Sequence, residues 1–302
     1  DLLKRVRQLA RGADVVVSFV DPASLYAELG CLALRSTRLV VGEWSTEVGG
    51  LRPRLRLQAH RVADRVVVNS HHHRERLARS FPWMAKRLCT IHNGIDLARW
   101  CPGPSAAPRA GRVKLVAMGV VRPVKNALNL ARALAVCRDR FGEAPEVLWA
   151  GEPEGRGPME EVDTALRTTG LEDHWQWLGT PPDYPALVQS CDALIHPSRF
   201  EGFPSAIGEA LAVGLPVLAS RVCDHPRLVE EGRTGFLFDP ESADAIADAI
   251  HRFMELPAPE RAQMGRAARS FAEENLSVDV FVDRFEKLLL EVTAARPADR
   301  DA

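Results

Sequence analysis

Runs of apolar and β-branched residues alternate with segments of helical periodicity along most of this chain. The strand-like runs are "ADVVVSFV", "RLVVGEW" and "DRVVVNS" before residue 70, and "VKLVAMG", "EVLWAG", "WQWLG", "DALIHPS", "PVLAS" and "GFLFDP" after residue 112. Strands that alternate with helices pair in parallel, with the helices on the faces of the sheet. The sequence therefore predicts an α/β protein.

One segment without periodicity interrupts this alternation. Trp100–Arg112 carries three prolines and two glycines, a composition typical of a link between domains. We predict two Rossmann-like, doubly wound domains that face each other across a cleft. The first spans residues 1–98 and the second residues 99–276, and residues 277–302 form a closing amphipathic helix and a charged tail.

Composition and the first residues exclude several protein classes. The net charge of the 302 residues is −1, and no apolar stretch approaches the ~18 residues of a membrane span, so neither nucleic-acid binding nor membrane insertion is favoured. The six cysteines form no Cys-x-x-Cys pair, which indicates free thiols in a reducing, cytoplasmic compartment. Since Asp1 already precedes a helical pattern, we expect the beginning of the first domain to be missing.

Two glutamates flank a predicted strand-to-helix corner in "RFEGFPSAIGEALAVG". Glu201 follows the strand "DALIHPS", and Glu209 lies about one turn into the next helix. Ligands of parallel sheets bind at the carboxyl ends of strands, where helix N-termini offer unpaired N–H groups. We expect Ser205, Ala206 and Ile207 to donate to an anion such as a diphosphate, and the two carboxylates to accept hydrogen bonds from sugar hydroxyls.

A second positively charged element follows the first strand of the second domain. "GVVRPVKN" carries Arg122 and Lys125 close to the next helix start. The chain has only five Lys against 34 Arg, so a Lys at this position favours a compact point charge at a phosphate. The alternative is an ordinary residue of the first helical turn, where a cation is slightly unfavourable.

The motifs around these residues resemble those of the family-four retaining glycosyltransferases of GT-B fold. "PSRFEGFPSAIGEALAVGLPVLAS" has the two glutamates of that family with seven residues between them. "RVVVNSHHHRERL", "IHNGID", "RPVKN", "WLGT" and "DHPRLVEEGRTGFLFDP" occur in the order that the family shows. The resemblance covers essentially the whole chain, apart from the first β-α unit of the family's acceptor domain.

The resemblance implies a role for each candidate residue. Glu209 would bind the nucleotide ribose, Glu201 the donor sugar, and Lys125 the diphosphate. Thr180 and Pro181 would border the nucleobase. The implied catalytic residues are Lys125, Glu201 and Arg122, and the implied donor-binding residues are Gly119, Thr180, Gly202, Phe203, Pro204, Ser205, Ala206 and Glu209.

The sequence departs from the family pattern at two places besides its beginning. Val120 stands where the family often has an arginine, and Arg122, two residues later, is a substitute. The histidine that many members carry in the acceptor domain is absent, and "VVGEWSTEVGG" offers Glu43 and Glu47 there instead.

The histidines suggest other sites, and each has a simpler interpretation. Residues 71–73 are all histidines, but adjacent side chains on a helix point about 100° apart, which favours a solvated helix start capped by Ser70 over a metal site. His196 lies inside an apolar strand and is interpreted as a core histidine with its hydrogen bonds satisfied. His225 follows a strand end, from which it could contact the donor or the leaving group.

Charged residues outside the corner give two further interpretations. Five arginines most simply form a solvated helix face: Arg52, Arg54, Arg56, Arg61 and Arg65. The alternative is that they contact an anionic bilayer or a lipid phosphate at the inner membrane face. The Asp-x-Asp motif, Asp299 and Asp301, lies in the tail, where a metal site would have no scaffold. We therefore expect no metal and no cofactor beyond the nucleotide sugar.

The prediction is a metal-independent, retaining glycosyltransferase of hexosyltransferase type. Its donor would be a nucleoside diphosphate sugar, with a UDP-sugar favoured. Its acceptor would be a hydroxyl of a glycan or lipid-linked glycan, as in cell-surface polysaccharide synthesis. Two alternatives stay open: a nucleotide-sugar 2-epimerase of related fold, and a non-catalytic nucleotide-sugar binding module.

Overall fold

The computed structural model describes residues 2–32, 34, 36–44, 51–103, 111–155 and 157–294. The chain divides into two compact units, unit 1 with Asp1–Gly94 and Asp279–Ala302, and unit 2 with Ile95–Val278. Part of the predicted link between the domains, residues 104–110, lies outside the described residues, as do Glu47, Asp299 and Asp301.

Unit 1 contains a four-stranded parallel sheet. Its strands pair in chain order and are β1 (Val15–Phe19), β2 (Arg38–Gly42), β3 (Arg65–Val68) and β4 (Leu88–Thr90). Its helices are α1 (Leu2–Ala10), α2 (Ala23–Cys31), α3 (Leu51–Leu57) and α4 (His71–Ser80). The apolar runs predicted the first three strands but not β4, because three residues are too few to show a strand period.

Unit 2 contains a six-stranded parallel sheet, and all six strands coincide with predicted runs. They are β5 (Lys114–Met118), β6 (Glu146–Ala150), β7 (Trp175–Gly179), β8 (Ala193–His196), β9 (Val217–Ser220) and β10 (Gly235–Phe238), in the spatial order β10-β9-β8-β5-β6-β7. The helices are α5 (Ala127–Phe141), α6 (Gly157–Thr169), α7 (Tyr184–Gln189), α8 (Ser205–Val213), α9 (His225–Leu228), α10 (Ala243–Met254) and α11 (Ala258–Asn275).

The central strands of unit 2 are buried on both faces. Leu115 and Ile195 belong to one apolar cluster with residues of α5 and α10. Val116 and Leu194 belong to a second cluster with residues of α8 and α11. Because neighbouring residues of a strand point to opposite faces, these strands read as continuous apolar runs rather than as alternating ones.

The C-terminal helix packs on the sheet of unit 1. This helix, α12 (Val278–Ala294), buries Phe285, Leu288 and Val292 in a cluster that contains residues of β2 and β3. The predicted amphipathic helix is therefore present, and its apolar face completes one side of the unit 1 core.

Two expectations from composition can be compared with the structure. None of the six cysteines, all of which are described, is in a disulfide, as predicted. No helix in the described ranges has the length and apolar character needed to cross a membrane.

Candidate functional site

The order of the strands in the parallel sheet of unit 2 reverses between β5 and β8. Strands β6 and β7 follow on one side of β5, while β8, β9 and β10 follow on the other. This is the Rossmann strand order, in which the loops after the two central strands leave a crevice at their carboxyl ends. Gly119 directly follows β5, and His196 is the last residue of β8.

A cavity of about 440 Å³ lies at this edge. Eight of the eleven predicted site residues line it: Gly119, Lys125, Glu201, Phe203, Pro204, Ser205, Ala206 and Glu209. A wider hollow of about 890 Å³ is lined by residues that precede β5, β8 and β9, including Val113 and Pro216. That hollow is at the amino edge of the sheet, so the smaller cavity is the candidate site.

The carboxylate of Glu201 accepts two hydrogen bonds on one oxygen. Lys125 Nζ donates to Oε1 at 2.6 Å, and His196 Nε2 lies 3.1 Å from the same atom. An ionised carboxylate can only accept, so His196 carries its proton on Nε2. Burial alone would raise the pKa of Glu201, but the His196 hydrogen bond and the Lys125 charge outweigh burial and hold the pKa below its ordinary value. Glu201 is therefore ionised at pH 7.

Lys125 is positioned by backbone conformations that few residues adopt. Gly119 has a φ of 137°, and a Cβ atom there would lie only 3.1 Å from Lys125 Cε. Asn126 has a φ of 63°, in the left-handed region that asparagine tolerates. Its Nδ2 donates to the carbonyl oxygens of Pro197 at 3.1 Å and Pro240 at 2.8 Å. These bonds hold the turn that contains Lys125 against the loops that follow β8 and β10.

Glu209 lines the same cavity without a hydrogen bond or ion pair to any described residue. Burial raises the pKa of its carboxyl to about 7, and the charge of Arg99 only partly opposes this shift. A largely buried carboxylate without donors is energetically unfavourable. A ligand that brings hydroxyl donors to Glu209 would remove this penalty.

The start of α8 supplies fewer free donors than the sequence predicts. Ser205 N donates to Phe203 O at 3.0 Å, and Ile207 N donates to Pro204 O at 2.9 Å. The expectation of three free N–H groups is therefore wrong for these two, because the first turn closes on the loop before it. Ala206 N has no hydrogen bond to the described part of the chain and is the donor that can meet an anion.

Three predicted site residues lie outside the cavity. Arg122 is exposed, with Nε 3.4 Å from Glu154 Oε2. Thr180 donates from both N and Oγ1 to Glu152 Oε1, at 3.0 and 3.1 Å. Gly202 is in the turn but does not line the cavity. Arg99, rather than Arg122, is the second cation of the lining.

Sequence reasoning missed Arg99, Tyr184 and His196 as lining residues. Arg99 was placed at the domain boundary, where no motif marks it. Tyr184 begins α7, and burial raises the pKa of its phenol, as do the acids Glu152 and Glu209. His196 is buried and hydrogen-bonded, as the core interpretation predicts, but its partner is Glu201. Its position at the carboxyl end of a strand was the available signal.

His225 is fully buried and lies outside the cavity lining. Its Nδ1 donates to Ser220 O at 2.8 Å, and its ring centroid is 5.2 Å from that of His196. Burial lowers the pKa of His225 to about 3, so the ring is neutral. Its neighbour is therefore His196, and whether it contacts a donor stays a prediction. The described residues contain no group of three His, Cys, Asp or Glu that could hold a metal ion.

Buried polar groups also gather at the carboxyl edge of the unit 1 sheet. Ser70 Oγ accepts from His73 N at 3.1 Å, which confirms the predicted cap. His73 itself is buried, so the interpretation of residues 71–73 as a solvated run is wrong for this residue. Burial lowers the pKa of His73 to about 4. Both ring nitrogens of His73 are buried, as are Trp44 Nε1 and Thr90 Oγ1, and none of these four atoms has a hydrogen-bond partner among the described residues.

Unit 1 also contains a network of charged side chains. Arg56 NH1 is 2.6 Å from Glu43 Oε2, and Arg56 also pairs with Asp21. The prediction of a solvated face is thus wrong for Arg56, while Arg52, Arg54 and Arg61 are exposed. His60 lies between Glu28 and Glu43. Burial opposes protonation of His60, but hydrogen bonds to both acids outweigh it and raise the pKa.

Two protein-family models match this chain. Residues 105–271 match glycosyl transferases group 1, which is more than half of the chain, and residues 1–99 match Glycosyltransferase Family 4. The chain belongs to the glycosyl transferases group 1. Both predictions made from the motifs, the glycosyltransferase family and the GT-B type of fold, are confirmed.

The relatives of this chain include enzymes whose names state a substrate. The D-inositol 3-phosphate glycosyltransferase of Saccharomonospora viridis is 34% identical over 70% of this chain and 52% of its own length. The GDP-mannose-dependent alpha-(1-6)-phosphatidylinositol monomannoside mannosyltransferase of Mycolicibacterium smegmatis is 29% identical over 97% of this chain and 81% of its own. The chain spans about half the length of the D-inositol 3-phosphate glycosyltransferases that it matches.

Solved structures share the fold of this chain. HepE of Anabaena, in complex with UDP, has a TM-score of 0.83 at 22% identity, over 96% of this chain and 82% of its own. A glycosyltransferase of Rickettsia africae has the same TM-score at 16% identity, over 98% and 81%. At these identities the likeness concerns the fold alone.

Proposed function

We propose that this chain is a retaining, metal-independent hexosyltransferase. It uses a nucleoside diphosphate sugar, a UDP-sugar in the first instance, and transfers the sugar to a hydroxyl of a glycan or lipid-linked glycan. The supporting observation is that one cavity contains an ionised Glu201 bonded to Lys125 and, separately, a Glu209 whose carboxylate accepts no hydrogen bond from the described residues. A two-part ligand with hydroxyls at both ends and anionic charge between them suits this distribution.

Each half of the donor would meet one carboxylate. The ribose diol would donate to Glu209, and the diphosphate would bind Lys125 Nζ and Ala206 N–H. The sugar hydroxyls would donate to Glu201, with the backbone of Gly202 beside them. Thr180 stays a proposal for the nucleobase end.

Electrostatics can supply most of the catalysis. Negative charge grows on the departing diphosphate, and Lys125 together with the positive end of the α8 dipole stabilises that charge. Glu201 fixes the sugar so that the acceptor oxygen can attack on the face that the phosphate leaves. The leaving phosphate then takes the acceptor proton. We therefore assign the reaction no side-chain base and no metal.

The acceptor site would be the carboxyl edge of the unit 1 sheet. A neutral His73 offers one ring donor and one ring acceptor, Trp44 Nε1 is a donor, and Thr90 Oγ1 is both. Buried groups of this kind are costly unless a ligand satisfies them. A mixture of donors and acceptors without net charge suits the hydroxyls of a sugar.

A peripheral membrane contact fits a lipid-linked acceptor. On α3 the side chains of Leu51 and Leu55 are 74% and 63% exposed, and Arg52 and Arg54 lie beside them. Apolar residues among arginines are typical of helices that bind anionic bilayers. We propose a cytoplasmic enzyme that binds the inner membrane face through α3. Flotation with vesicles of anionic and of neutral lipid tests this, and Leu55→Glu should abolish binding to the former.

A thermal-shift panel of nucleoside diphosphates and their sugars tests the proposed donor. A ligand present at 100 times its dissociation constant should stabilise the fold by about 2.7 kcal/mol. UDP and UDP-sugars should give the largest shift, and a larger shift with GDP-mannose would change the donor to the one that the Mycolicibacterium relative's name states. No shift with any nucleotide would contradict the proposal.

Turnover assays distinguish the proposed transferase from the 2-epimerase and from the binding module. A 2-epimerase exchanges the proton at the sugar C2, so solvent deuterium in the recovered nucleotide sugar would identify it. A binding module would shift in the thermal panel without any turnover when acceptors are supplied.

A further inference from the structure

We propose that His196 is a positioning residue that keeps Glu201 in place when Lys125 shares its charge with the donor diphosphate. The inference rests on the proposed function and deepens it. It assigns a task to a buried histidine at the end of β8, and it explains why two donors share one oxygen of Glu201.

In the proposed complex Lys125 interacts with two anionic groups, the carboxylate of Glu201 and the donor diphosphate. Its Nζ donates to Glu201 Oε1 at 2.6 Å. A bound diphosphate places anionic oxygens at the same ammonium group, and the phosphate charge grows as the sugar leaves. An ammonium group has three N–H donors, so Lys125 can bind Glu201 and the diphosphate together, and the attraction of the diphosphate then weakens its hold on Glu201. The Glu201 side chain is 14% exposed, so a carboxylate without donors there would be strongly unfavourable.

His196 can keep its hydrogen bond to Glu201 while Lys125 also binds the diphosphate. Its Nε2 is 3.1 Å from Glu201 Oε1, and its side chain is 3% exposed. As the last residue of β8 it is held by the parallel ladder, since His196 pairs with Ala219 of β9. Lys125 has a long flexible side chain, whereas His196 has two torsions and a fixed backbone. Oε2 of Glu201 is then left for a sugar hydroxyl.

A second histidine, His225, packs against the ring of His196 and fixes its orientation. Ser220 Oγ donates to Ser198 O at 2.5 Å, and Ser220 O accepts from His225 Nδ1 at 2.8 Å. The His225 ring meets the His196 ring at 67°, with the centroids 5.2 Å apart. Both rings are neutral because burial lowers their pKa values. A neutral His196 orients Glu201 without competing with Lys125 for the diphosphate.

Calorimetric titration of the free nucleoside diphosphate and of the intact donor tests this role. The sugar contribution is the ratio of the affinity for the intact donor to the affinity for the free nucleotide. His196→Leu should reduce this ratio about tenfold or more, which is the range for a hydrogen bond to a charged group. Affinity for the free nucleotide should change little, and kcat should fall. His196→Gln, which keeps an N–H near the Nε2 position, should recover most of the loss. His251→Gln, a histidine of α10 stacked on Phe141, is the matched control.

A double-mutant cycle separates positioning from a merely structural role. If His196 acts through Glu201, His196→Leu should cause no further loss in a Glu201→Ala background, whereas equal losses in both backgrounds would overturn the inference. If the Leu variant does not fold, nitrogen-15 NMR of the native protein decides. The neutral Nε2–H tautomer should persist with and without donor, and an Nδ1–H tautomer would overturn the proposal.

The two proposals fail in different ways. A native protein that binds no nucleotide sugar would overturn the proposed function and this inference with it. A native protein that binds the donor, with an undiminished sugar contribution in a folded His196→Leu variant, would overturn only the role of His196.

Discussion

Replacing Glu209 by glutamine should remove a pH dependence from donor binding. Burial raises the pKa of Glu209 from 4.5 to about 7, and ribose hydroxyls donate best to the ionised carboxylate. Below pH 7 the native protein must therefore release a proton to bind the donor, and its affinity should fall by up to about tenfold per pH unit. Glu209→Gln has no such proton, so its affinity should be constant.

The free protein should show the opposite sign in its stability. An acid whose folded pKa is raised binds its proton more tightly when folded, so stability is lost as the pH rises from 4.5 to about 7. The full shift corresponds to about 3 kcal/mol as an upper limit. Glu209→Gln should thus be more stable than the native chain at pH 8 and equal to it at pH 4. Urea unfolding at both pH values measures the difference.

Calorimetry with the intact donor, between pH 5.5 and 8.5, measures the affinity. The diphosphate of the donor is esterified at both ends and does not titrate in this range, whereas a free nucleoside diphosphate does. At pH 8 the variant should bind about ten- to a hundredfold more weakly, the value of a hydrogen bond to a charged group. The two affinities should converge at low pH. Parallel pH profiles of the two proteins would refute the assignment of Glu209 to the ribose.

Three further outcomes are expected. Lys125→Ala should lower kcat more than it weakens donor binding, with partial recovery in Lys125→Arg; Lys114→Ala, at the exposed lysine that begins β5, is the control, and an equal effect there would return Lys125 to an ordinary role. Glu201→Ala should leave the affinity for free nucleotide unchanged while reducing sugar transfer and discrimination between sugar epimers. Calorimetry with the free nucleotide and with the intact donor measures this, and an equal loss of affinity for both would contradict the assignment of Glu201 to the sugar. Activity in EDTA should be complete, whereas loss in EDTA with recovery in magnesium or manganese would contradict catalysis by Lys125 and the helix terminus.

The central strands of unit 2 were predictable because burial on both faces leaves apolar runs with turn residues at their ends. The glutamate corner was predictable for the same reason, since Glu201 and Glu209 follow the run that becomes β8. Strand β4 was not, because its existence depends on pairing with β3 rather than on its own three residues. Local pattern predicts an element only when the element is long enough to have a period.

Contacts distant in sequence account for the rest. Lys125 and Glu201 are 76 positions apart, and the neighbouring carboxyl ends of β5 and β8 bring them together. Each was predicted as a site residue, but the hydrogen bond between them was not. His196 was hidden because a histidine inside an apolar run reads as core, which it also is. At Ser205 and Ile207 the predicted donors were lost to bonds of the first turn, whose geometry no motif specifies.

The position of α12 makes unit 1 discontinuous along the chain, with consequences for synthesis. Phe285, Leu288 and Val292 fill the side of the core that contains Val40 and Ile91, yet they are translated after the whole of unit 2. Unit 2 can fold as one contiguous segment, whereas β2 and β3 keep an apolar face exposed until the final helix has left the ribosome. Early termination of translation before residue 278 would therefore release a chain with a foldable unit 2 and an aggregation-prone unit 1.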